Sequence, residues 1–211
     1  MRLWLKVALA GAVMAFLPLK SADAGTVAFG FTGGTGGNAG NALLGYEFTV
    51  DTDIEVTHVG LFDYGTDGLS GASQIGIWTM GGTLLADATV PSGTTAPLTA
   101  GWRYEPLASP LLLSAGESYV IGGYQANESY YQDATIVNLT SDVTFGNARR
   151  QAGGGFVIPA TVDPTDNAGY FGPNFQFDLA EPKVPEPSIW LLLGAALVGL
   201  AVALRRSHSM T

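Results

Sequence analysis

From Leu44 to Asp51 the chain alternates without a slip, with Leu44, Tyr46, Phe48 and Val50 on one side and Gly45, Glu47, Thr49 and Asp51 on the other. A period of two is the mark of a strand with one face buried and one wet. Between Gly25 and Lys183 no useful stretch shows a 3.6-residue period, so this part must be built from paired strands. Thr26 to Phe31 and Ile54 to Phe62 read as strands. Gln74 to Met80 and Thr83 to Val90 read as a hairpin, with Gly81-Gly82 supplying the positive φ angles of a two-residue turn. Trp102 and Tyr104 face opposite to Arg103 and Glu105, and the segment runs through Pro106 into Pro110 to Leu113. Glu117 to Gln125, Ala134 to Leu139 and Val143 to Phe145 follow, then a last strand alternating Phe175, Phe177 and Leu179 with polar neighbours. Gly33 to Gly40, a run of Gly, Asn and Thr, reads as a mobile loop without a phosphate-binding ending. Nine or ten short strands spaced by turn signals at roughly 8–12 residues predict an all-β fold, an antiparallel, jelly-roll-like β-sandwich.

That sandwich has to hold itself together by its core, because the 211-residue chain contains no cysteine. Thiol nucleophiles and thiolate metal sites are excluded on the same ground. Residues 25–183 carry sixteen Asp and Glu against Arg103, Arg149, Arg150 and Lys183, a net charge of −12. Such a surface repels phosphate backbones, so no nucleic acid partner is expected. Charged residues are only 13% of the chain, which points to a glycine-rich, polar surface rather than a disordered acidic one.

Both ends read as addresses. Met1 to Ala24 carries Arg2 and Lys6, an apolar run from Val7 to Leu19, and Ala22-Asp23-Ala24. This is the pattern of a signal peptide for the Sec export machinery, cleaved between Ala24 and Gly25. At the other end Pro185-Glu186-Pro187 precedes seventeen uncharged residues, Ser188 to Leu204, and then Arg205-Arg206. A helix of that length is about 25 Å long, close to a hydrocarbon core of about 30 Å. The arginines place its C-terminal end in the cytoplasm. The expected organisation is therefore a leader (1–24), an exported domain (25–183) and a tail (184–211) whose helix, 188–204, crosses the inner membrane.

Proline-flanked motif, apolar span and basic end, in that order, closely resemble the PEP-CTERM sorting tail of Gram-negative bacteria. The resemblance implies an exosortase, a membrane-embedded cysteine protease, as the partner. It would process the chain near Pro185, Glu186 and Pro187 and pass it to the cell surface or extracellular matrix. A second resemblance rests on Trp102 to Tyr124, on Val59 to Asp63 and on Tyr170 to Phe177. These segments are similar to a β-sandwich family of unknown function in bacterial surface proteins. It implies two neighbouring strands and a turn between Trp102 and Tyr124, and brings no catalytic residue.

Side chains that could do chemistry are few. The two histidines are His58, mid-strand, and His208 in the tail, so neither a two-histidine zinc site nor a well-placed triad is expected. Asp63 and Asp67, with Gly68, have the spacing of a calcium loop, but an ordinary turn asks for the same residues. Glu47, Glu105, Glu117 and Glu128 are the glutamates available for glycoside hydrolysis, and each falls where a solvated face or turn would put one. Tyr124, Tyr130, Tyr131, Trp78 and Trp102 could offer flat rings to a sugar. Core packing accounts for the tryptophans, whereas Tyr130 and Tyr131 sit among Glu128, Ser129, Gln132 and Asp133 and are expected on an exposed loop as the ligand contact. The expectation is a non-enzymatic surface or matrix protein without cofactor or metal, structural or associated with exopolysaccharide. The alternatives are a carbohydrate-binding or adhesive module and, less favoured, a secreted hydrolase.

Overall fold

The computed structural model of the chain describes residues 25–38, 42–124, 128–153, 155–163 and 168–181, with residues 38, 132 and 168–171 described in backbone only. The expected leader with Ala22 and Ala24, and the expected tail with Pro185, Glu186, Pro187, the 188–204 helix, Arg205 and Arg206, lie outside the described residues. Among the described residues no helix is long and apolar enough to cross a membrane.

Fifteen strands make up the described fold. They are β1 (Thr26–Val27), β2 (Phe29–Thr32), β3 (Thr35–Asn38), β4 (Leu43–Val50), β5 (Ile54–Phe62), β6 (Ser73–Thr79), β7 (Leu84–Val90) and β8 (Leu98–Thr99). The chain continues with β9 (Trp102–Leu113), β10 (Ser118–Tyr124), β11 (Ser129–Asn138), β12 (Val143–Gln151), β13 (Thr161–Val162), β14 (Ala168–Phe171) and β15 (Pro173–Leu179). All-β, antiparallel architecture is thus what the alternation called for. Two sheets do most of the work, one ordered β1-β15-β5-β9-β8 and one ordered β13-β12-β4-β10-β6-β7. A third sheet, β14-β11-β2, with β3 also paired to β11, was not foreseen.

The alternating side chains of β4 do what their period demands. Tyr46, Phe48 and Val50 are buried in the main core with Ile54, Val56, Val59 and Leu61 of β5, Ile75 and Ile77 of β6, Ile121 of β10, and Phe175 and Phe177 of β15. Successive strand residues point to opposite faces, so Phe62, next to Leu61, serves a second core. There it meets Trp102 and Tyr104 of β9 and Ala134 of β11, with Phe31 and Tyr131 packed against them. The five-stranded sheet is consequently covered on both faces, which is why the expected wet face of β9 is not wet.

Four local expectations are corrected. Residues 35–38 form a strand rather than a mobile loop: Gly36 pairs with Tyr131, and a Cβ there would come within 2.9 Å of the Tyr64 hydroxyl and 3.2 Å of its ring. Trp102 to Tyr124 holds the two expected strands and a turn, but β9 and β10 lie in different sheets rather than side by side. The prolines of β9 cannot donate to a ladder; Pro110 lies in a bulge in which residues 107–110 stand opposite Thr57 alone, and Pro106, opposite His58, borders it. The β6–β7 connection is four residues, not two, closed by Thr79 N–H to Thr83 O at 2.9 Å, and within it only Gly82 (φ 89°) takes a positive φ. Finally, the strand begun at Val143 runs on to Gln151 across a register shift between Phe145 and Ala148.

Candidate functional site

A cleft lies on the six-stranded sheet, on the face turned away from the main core. Ile75 and Ile77 of β6 point inward, so Gln74, Gly76 and Trp78 point outward. Three glycines stand side by side in register there, Gly45 beside Gly122 and Gly122 beside Gly76. They leave a bare backbone floor. A Cβ at Gly76 would come within 2.6 Å of the Phe156 ring and 2.7 Å of Trp78, and one at Gly122 within 2.7 Å of Pro159. Residues 155–160, ahead of β13, cross this floor, and Phe156 rests on Trp78 with ring centroids 5.1 Å apart. Trp78 is thereby buried, at 3% exposure, on a face that alternation alone would leave wet.

Beside this strap opens the cleft, of about 330 Å³ and lined by Ala72, Gln74, Thr89, Tyr124, Gly155 and Phe156. Gln74 pairs across the sheet with Thr89. Its amide nitrogen donates to Asp87 Oδ2 at 2.7 Å, which fixes the side chain and turns its carbonyl oxygen the other way. The rim is therefore amide, hydroxyl and phenol, with aromatic rings from Tyr124 and Phe156 and one carboxylate, that of Asp87, alongside. It can accept and donate hydrogen bonds and offer flat apolar surface.

The sequence-derived candidates fall elsewhere. Tyr130 and Tyr131 are not on an exposed loop: both lie in β11, Tyr130 8% exposed. Tyr131 packs among Phe31, Phe62 and Tyr64 at centroid distances of 5.0, 5.6 and 5.2 Å. Pairing with β3 and β14 turned that polar segment into a strand. Trp102 is core, its indole N–H donating to Gly172 O at 3.2 Å.

Asp63 is fully buried, and its carboxylate is filled by protein donors. Arg103 Nε lies 2.7 Å from Oδ2, and Gly68 N–H reaches both oxygens at 3.1 and 3.2 Å. Arg103 also donates to the carbonyls of Thr94 and Ala96, at 3.3 and 3.0 Å. The Asp63 to Gly68 turn is a structural ion-pair site, with Thr66 (φ 59°) and Gly65 (φ 89°) shaping it. Glu47 pairs with Arg149 at 2.7 Å. Glu128 is corrected from a solvated position to a buried one, accepting the Ser70 N–H at 2.7 Å. His58 leans on Thr57 Oγ1 at 3.0 Å. Among the described residues no group of three or more His, Cys, Asp or Glu is placed to hold a metal ion.

Burial acts on two tyrosines. It holds the Tyr46 phenol well above its ordinary value, with the Tyr104 phenol as a smaller cause, and it raises Tyr104 likewise. Tyr46 reaches Asn174 Oδ1 at 3.4 Å, whereas the buried Tyr104 hydroxyl finds no hydrogen-bond partner among the described residues.

An antiparallel β-sandwich module with an amide- and aromatic-rimmed cleft on one sheet is the class that fold and site define. Residues 33–172, well over half of the chain, match the family described as a domain of unknown function (DUF4082). The chain belongs to that family. Residues 183–207 match the PEP-CTERM protein-sorting motif, and they include Pro185, Glu186, Pro187, Arg205 and Arg206. A chain with this motif is exported, held as a membrane-anchored intermediate and sorted to the cell surface with an exosortase as its processing partner. No curated protein matches the chain.

Proposed function

We propose that the exported domain is a non-enzymatic module that keeps the chain on extracellular polysaccharide after sorting, and that the Sec machinery carries it across the inner membrane of a Gram-negative cell. The observation that supports this best is how the acidic groups are used. Asp63, Glu47 and Glu128 are engaged by guanidinium or backbone donors in distances of 2.7 Å. A hydrolase needs two carboxylates free to face one substrate bond, and these three are tied into the scaffold instead. The outer cleft, by contrast, carries hydrogen-bonding and ring surfaces suited to holding a ligand without changing it.

The test is fractionation of the producing cells before and after enzymatic digestion of their matrix polymer. The domain is expected in the matrix fraction and to leave with the digested polymer, while added protein leaves the polymer's viscosity unchanged. A domain that stays with stripped cells, or that thins the polymer by itself, refutes the proposal.

A further inference from the structure

Two observations about the outer cleft go beyond general adhesion. The first is that its aromatic wall is built rather than incidental. Phe156 is seated on Trp78 and over the bare backbone of Gly76, while Pro159 of the same segment is seated over Gly122. An aromatic side chain on a connecting segment normally loses freedom on binding; here much of that freedom is already gone. Tyr124, on the neighbouring strand β10, is half-buried at the same cleft.

The second is electrostatic. The cleft's six lining residues carry no charge, and the carboxylate of Asp87 beside it orients Gln74 through the 2.7 Å amide bond. Residues 25–183 as a whole carry −12. A uronic-acid or phosphate-bearing polymer would be repelled both locally and at a distance, whereas uncharged hydroxyls would find hydrogen-bonding groups in Gln74 and Thr89. A volume of about 330 Å³ lies at the small end of ligand pockets, enough for a short sugar segment and not for an extended strand.

We propose that this cleft is a binding site for a neutral glycan segment, with Tyr124 and Phe156 giving ring faces to the sugar, and Gln74 and Thr89 meeting its hydroxyls. Asp87 and the Gly45-Gly122-Gly76 floor act through those groups, as positioning elements. The inference rests on the polysaccharide reading above and names where and by what chemistry it acts.

The experiment is affinity electrophoresis of the full chain in detergent micelles, through gels containing dextran, galactomannan, alginate, or the producer's own extracted polymer. Retardation is expected with at least one neutral polymer and not with alginate. Gln74→Ala and Tyr124→Ala are each expected to weaken retention about ten-fold. Gly76→Ala should weaken it too, by displacing Phe156 while removing no group that touches the sugar. Tyr64→Ala, on an exposed ring outside the cleft, should leave retention unchanged. Near-ultraviolet circular dichroism checks that each variant is folded, and Gln74→Ala, a half-exposed side chain, is the variant least bound up with folding. Retardation that survives both Gln74→Ala and Tyr124→Ala removes this cleft and leaves polysaccharide binding to another surface. Retardation in alginate equal to that in neutral polymer overturns the neutral-glycan assignment. Free passage of the unaltered chain through all four gels overturns both the cleft and the polysaccharide reading.

Discussion

Replacing Arg103 by methionine removes the one side chain that neutralises Asp63, and the structure says how much that should cost. Asp63 is 0% exposed and Arg103 5%, so neither charge is shared with water. With Arg103 gone, the carboxylate keeps only the Gly68 N–H at 3.1 and 3.2 Å, and the carbonyls of Thr94 and Ala96 lose their donor. Breaking a buried pair from one side costs about 3–5 kcal/mol, against at most about 1 kcal/mol for an exposed pair. Asp63→Asn should fall in the same range, since it strands the guanidinium instead. Combining the two leaves no buried charge, so the double variant should cost less than the sum of the singles by about 2–3 kcal/mol, within the range of contacting pairs. Urea unfolding of the full chain in micelles, followed by tryptophan fluorescence, gives all four corners of the cycle. Trp102, the neighbour of Arg103 in β9, reports on the same region. An Arg103→Met loss below about 1 kcal/mol, or strictly additive singles, would falsify the claim that this pair holds the Asp63 turn to β9.

Two further outcomes are expected. Tyr46 and Tyr104 have folded-state values raised above the unfolded phenol value of about 10, so above that pH the unfolded chain has lost protons that the folded chain keeps. Stability is therefore fully present below pH of about 10 and falls as pH rises beyond it, by up to about 1.4 kcal/mol per pH unit for each tyrosine; Tyr104→Phe should halve the slope seen in denaturant titrations, and an unchanged slope would count against it. In a host with an exosortase, an epitope after Thr211 should part from one placed after Gly25, the latter moving outward; both remaining together in the inner membrane would speak for a plain anchor.

Strand alternation made the all-β, antiparallel class legible, and β4 buries Tyr46, Phe48 and Val50 as its period asks, whereas in β15 Asn174 and Gln176 are buried and Leu179 is exposed against the period. What escaped was whatever depended on a second layer. Trp102, Arg103 and Tyr104 are all buried because the β11 sheet covers one side of β9 while Arg103 finds Asp63 on the other, and no local pattern reports such cover. Tyr130 and Tyr131 looked exposed for the mirror-image reason: polar neighbours in sequence said nothing of the strands that would flank them. The cleft left a faint trace. Gly76 and Gly122 interrupt strands otherwise rich in Ile, Val and Trp, and an isolated glycine in a strand signals close approach of another group. That the approaching group is Phe156, about eighty residues away from Gly76 in the chain, follows only from the β4–β10–β6 register.

The first and last strands of the domain are neighbours: β1 pairs with β15, which also pairs with β5, and Ala180 N–H binds Asp53 O at 2.9 Å just beyond it. β15 is also the strand from which the chain leaves toward the sorting motif. A pull transmitted from the cell envelope therefore runs along β15 itself, between two partners whose hydrogen bonds lie across the line of force. Those bonds resist in parallel and fail together rather than unzipping one by one. The exit strand thus gives the domain a shear geometry, rather than a peeling one, at its C-terminal end.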